Sequence, residues 1–135
     1  MRTGKLLFVI PPYFDVVAPG SPSRSHVLPA FTIPYGILSL EAYVKARCSR
    51  PVEIGILDLN VHLRDMMAHH PPGADTWSAL TALVVERARD FAPDLGGISA
   101  LFSSSFAYLE DVARSAKEGV PQVTVVAGGG LPSAE

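Results

Sequence analysis

The sequence has little of what staples, anchors or charges a protein. Cys48 is its one cysteine in 135 residues, so no internal disulfide can form, and a reducing cytoplasmic setting fits. No apolar run approaches the roughly 20 residues needed to cross a bilayer. The run at residues 6–10 is too short for a signal sequence and is cut by Pro11 and Pro12. A formal net charge of −2 exerts no general pull toward nucleic acid or an anionic membrane. There is no internal repeat and no low-complexity tract. The length suits one domain, residues 1–135.

Several motifs are missing too. The loop after the first apolar run lacks the G-x-G-x-x-G that cradles a dinucleotide, and it opens apolar where a receiver domain needs an acidic cluster. "GISALFSSS" is not a nucleophile elbow, and no histidine follows it. His69 and His70 stand before Pro71 and Pro72 and read as surface loop. His26 and His62 have no companions that would complete a coordination shell. No catalytic constellation and no metal site is expected.

What is present is an alternation. Short continuous apolar runs at residues 5–10, 52–57, 94–99 and 122–127 suit strands buried in a parallel sheet. Between them, Pro34 opens a helix reaching about Cys48, with Ile37, Leu40, Val44 and Cys48 on one face and a Glu41–Lys45 pair on another. Residues 60–73 are mixed and hold a short helix. Asp75 or Thr76 can cap a third helix whose stripe is Trp77, Leu80, Val84, Ala88 and Phe91. Ser103, Ser104 and Ser105 offer caps for a fourth, with Phe106, Leu109, Ala113 and Ala116 on its apolar face and Glu110 paired to Arg114. Gly119 and Pro121 end it. Residues 11–33 form a long loop rich in Pro, Gly and Ser. The expected fold class is α/β, an open parallel sheet with helices on both faces.

In such a sheet ligands bind at the C-terminal ends of the strands. Here those ends read "IPPYF", "LDLN", "ISALFSSS" and "AGGGLPS". The glycine triplet serves equally well as a flexible turn or as bare backbone laid against a ligand. The serines serve as caps or as ligand donors, with capping the simpler role for Ser105. Asp58 suits a cap on the turn after the second strand better than a ribose-binding acid.

Five segments in order, "KLLFVIPPYF", "IPYGILSLEAYVKA", "VEIGILDLN", "FAPDLGGISALFSSS" and "VTVVAGGGLPS", resemble the N-terminal cobalamin-binding domain of cobalamin-dependent radical S-adenosylmethionine enzymes. The resemblance implies a flavodoxin-like (Rossmann-like) three-layer domain, here short of the family's last helix and strand. It implies a corrin over the strand ends, near Pro11, Pro12, Tyr13, Tyr35 and Gly36. Ser99, Leu101 and Ser103 would border the corrin rim or the nucleotide tail, and Gly128, Gly129, Gly130, Pro132 and Ser133 would shape the tail's slot. "DVVAPG", residues 15–20, has the D-x-H-x-x-G spacing with Val17 in the histidine's place. The cobalamin is therefore expected base-off and without a histidine ligand. The iron–sulfur cluster of these enzymes takes three cysteines. With Cys48 alone, the cluster and S-adenosylmethionine would belong to other domains, a radical domain in cis or trans that receives a methyl group from cobalamin. The competing expectation is a cofactor-free interaction domain, self-associating through the edge of its fourth strand.

Overall fold

The computed structural model describes residues 2–13, 16, 33–69, 73–101 and 103–130. Four strands, β1 (Gly4–Ile10), β2 (Val52–Asp58), β3 (Leu95–Ser99) and β4 (Thr124–Gly128), form an all-parallel sheet in the order β2-β1-β3-β4. β1 lies inside because its residues are apolar on both faces. Leu7 and Val9 enter one core cluster, and Leu6, Phe8 and Ile10 enter another on the opposite face. The order reverses between β1 and β3, which makes that gap the switch point of a flavodoxin-like sheet.

The helices divide between the two faces. α1 (Tyr35–Arg47) meets the Leu6–Phe8–Ile10 face through Ile37. α2 (Leu59–His69), α3 (Ala74–Phe91) and α5 (Leu109–Gly119) pack on the other, with Leu59, Leu63, Leu80, Val84, Ala88, Val112 and Ala116 in its core. The single turn α4 (Ser103–Phe106) precedes α5. The chain steps one way along the sheet through α1 and the other way through α3 and α5, and it changes face as it does so. Crossovers of one hand require this. At the strand starts, Asp94 accepts the Lys5 N–H at 2.9 Å and pairs with Arg2, and Gly4 N donates to Pro51 O at 3.0 Å. The charges that tie the sheet together thus gather at the end opposite the ligand edge.

Several local expectations are corrected. Pro34 is the N-cap of α1 rather than its first helical residue. Cys48 is exposed because the helix ends at Arg47 and Cys48 turns into extended backbone. Leu40 is 50% exposed: the buried stripe of α1 is narrow, centred on Ile37, and Leu40 lies about 60° off it. α3 starts earlier than expected. Gly73 is its N-cap, and Thr76, three residues in, reaches back to accept the Gly73 N–H at 2.9 Å. Phe106 falls in α4 and is exposed. Tyr108, Val112 and Ala116 provide the core contacts there. The Glu41–Lys45 and Glu110–Arg114 pairs form as expected. The close approach promised by the β3 glycines comes from within: a Cβ on Gly97 would lie 2.8 Å from the Phe8 ring. Gly97 therefore lets β1 carry a phenylalanine at the centre of the sheet.

Candidate functional site at the strand ends

Two prolines in succession leave β1 with carbonyls but no N–H groups to continue its ladder. The last β1–β2 partners are Ile10 and Asp58. Beyond them, side chains take over. Asn60, fully buried at the start of α2, donates its amide N–H to Pro11 O at 3.0 Å and accepts the Tyr13 N–H at 2.8 Å. From the β3 side, Ser105 donates its hydroxyl to Pro12 O at 3.0 Å. Farther on, Val16 N donates to the Tyr108 hydroxyl at 2.6 Å, and the Tyr108 ring packs against Trp77, tilted 45° to it with centroids 4.5 Å apart. Asp58 receives the Asn60 backbone N–H at 2.9 Å and its amide at 3.0 Å, so it acts as a turn cap. Ser105, expected to cap the next helix, instead holds the β1 loop, because α4 brings its hydroxyl to the Pro12 carbonyl.

The second wall is the mouth between β3 and β4. Ser99 stands opposite Gly128 in register, and Ala100 N donates to Gly128 O at 2.8 Å. Gly129 has φ +120°, and a Cβ there would lie 2.3 Å from Ala100 O. No other residue type fits this backbone without strain. A Cβ on Gly128 would meet nothing within 4 Å, and one on Gly130 would meet only Leu101 O at 3.6 Å. Gly129 is thus required by packing, whereas the backbone of Gly128 and Gly130 is left largely uncovered by the described residues. Ser99 is half-buried, and Leu101 is 57% exposed at the rim.

The N-terminus of α1 lies at the same edge, since α1 ends beside the strand starts. Tyr35 and Gly36 are exposed there, and a Cβ on Gly36 would also meet nothing within 4 Å. Ser103 opens α4 after β3. Pro132, Ser133 and most of residues 15–20 lie outside the described residues. Sequence reasoning missed Asn60 and Tyr108. The available signal for Asn60 was the proline pair itself, whose carbonyls need donors from elsewhere. Among the described residues no group of three His, Cys, Asp or Glu side chains could hold a metal, and no helix is long and apolar enough to cross a membrane. A separate concavity of about 540 Å³ lies between α2 and α3, lined by Met66, Met67, His69 and Asp75 among others.

A doubly wound parallel domain with a glycine-walled mouth between β3 and β4, beside its switch point, has the flavodoxin-like architecture that binds ligands at this edge. Residues 26–135 match the B12 binding domain family, and the chain belongs to that family, whose members bind cobalamin. The match covers β2 to β4 and α1 to α5, while β1 and the Pro11–Pro12 pair precede it. No curated protein and no solved structure gives a significant match.

Proposed function

We propose that the chain holds cobalamin with the corrin over the ends of β1 and β3 and the nucleotide tail against Gly128, Gly129 and Gly130. It would present methylcobalamin to a radical S-adenosylmethionine domain for methyl transfer. The observation that carries the first part is the β3–β4 mouth. Gly129 is pressed onto Ala100, and beside it Gly128 has space that no atom of the described residues uses. A flat face of backbone suits a cofactor rimmed by amides, which needs hydrogen-bonding partners and room rather than charge. Asp58 is the only charged residue among the described strand ends, and its carboxylate is engaged by Asn60. Cobalamin supplies the methyl-carrying cobalt; the chain supplies binding and orientation.

Cobinamide, which lacks the nucleotide tail, tests where the tail lies. Titration followed by visible absorbance is expected to give a Kd for cobinamide at least about tenfold above that for hydroxocobalamin, a loss of about 1.4 kcal/mol of tail contacts. Equal affinities would remove the tail from the β3–β4 mouth. The radical partner is supported by the five ordered segments that resemble such enzymes. A reading frame continuing past Glu135 into C-x-x-x-C-x-x-C would put that partner in cis. If neither the frame nor an adjacent gene encodes such a cluster, the methyl-transfer part fails.

A further inference from the structure

We infer that Asn60 is the positioning residue of the cobalamin site. This rests on the cobalamin reading above. Its amide replaces the strand neighbour that Pro11 and Pro12 cannot engage, and so holds residues 11–13 in one conformation beneath the cofactor. The orientation of the amide is determined by its surroundings. One N–H points to Pro11 O at 3.0 Å, the other to Asp58 Oδ1 at 3.0 Å, and the oxygen takes the Tyr13 N–H at 2.8 Å. Turned over, the amide would set its oxygen against a carbonyl and a carboxylate and its N–H₂ against an N–H. Asp58 thus selects the orientation in which Asn60 bonds both sides of the proline pair.

A single buried side chain therefore bridges α2 to the loop at the switch point. Aspartate would keep an acceptor for Tyr13 but lose the donor to Pro11, and it would set two carboxylates together. Alanine would lose both contacts. In either variant residues 11–13 sample more conformations, and binding must order them at the cost of affinity. Ser105, holding Pro12 O from the opposite side, does not compensate, because it reaches neither Pro11 O nor Tyr13 N.

The test compares the full-length wild-type chain with Asn60→Ala, Asn60→Asp and, as a control, Leu80→Ala. Leu80 is fully buried on α3 and makes no contact with the loop through hydrogen bonds. Amide exchange is followed by NMR without cofactor, and hydroxocobalamin Kd is measured by titration on protein shown to be folded by circular dichroism. In Asn60→Ala the Tyr13 amide is expected to exchange at least about tenfold faster while those of Leu7 and Val9 keep their protection. The Kd rises by about tenfold or more in Asn60→Ala, and it also rises in Asn60→Asp, which keeps the side-chain volume if alanine does not fold. Leu80→Ala, although less stable, keeps the wild-type Kd. An unchanged Kd in the Asn60 variants, an equal rise in Leu80→Ala, or unaltered Tyr13 exchange in Asn60→Ala overturns the positioning role alone. A wild-type chain that binds no hydroxocobalamin overturns the cobalamin reading and this inference together.

Discussion

Replacing Gly128 with phenylalanine abolishes cobalamin binding and leaves the fold as stable as before. The expectation follows from where the new side chain would go. Gly128 is the last residue of β4, exposed, and a Cβ there meets nothing within 4 Å. Aromatic residues are favoured in strands, and an exposed substitution away from packed groups changes stability by about 0.5 kcal/mol or less. The ring would stand in the mouth beside Ser99, its partner in register, where the cofactor tail is proposed to lie. Thermal melts should coincide with the wild type while titration with hydroxocobalamin shows no binding. Wild-type affinity in Gly128→Phe would show that the mouth is not the slot.

One residue on, the expected cost changes from binding to stability. Gly129→Ala is expected to destabilise the fold by about 3 kcal/mol. A side chain at φ +120° holds a strained backbone, worth about 1–3 kcal/mol. A Cβ 2.3 Å from Ala100 O adds an overlap of about 1–3 kcal/mol. Opening of the strand end, which breaks the Ala100 N–H bond to Gly128 O, limits the total. Urea unfolding measures the loss, which is a large part of the about 5–15 kcal/mol that holds a domain together. An unchanged midpoint would mean that Gly129 is not pressed onto Ala100 as described. Together the two variants separate a glycine kept for the ligand from a glycine kept for the chain.

The sheet was legible because β1 and β3 are continuous apolar runs and α3 repeats its buried residues, Leu80, Val84 and Ala88, at helical spacing. The parallel order followed from that alternation and from the five family-like segments. That these segments share one edge was legible for the same reason: in a parallel sheet all strands end on the same side, so "IPPYF" and "AGGG" could be placed together without coordinates. Asn60 was not legible as a site residue, because its value depends on a carbonyl 49 residues away and a backbone N–H 47 residues away, brought beside it only when β1 pairs with β2. Ser105 was assigned a local role, capping, that is common for serine, whereas its partner Pro12 is 93 residues distant. Cys48 failed because α1 stops at Arg47, and Leu40 failed for another reason. Periodicity defines which residues share a face but not how wide a strip the neighbouring sheet covers, and α1 meets its face mainly through Ile37.

The central claim, that these strand ends hold cobalamin, is tested most directly by incubating the wild-type chain with hydroxocobalamin and passing it through gel filtration. The account predicts that the cofactor's visible absorbance travels with the protein at about one cobalamin per chain, and that Gly128→Phe elutes colourless at the same volume. A folded wild-type protein that elutes colourless after incubation with millimolar cofactor would contradict it.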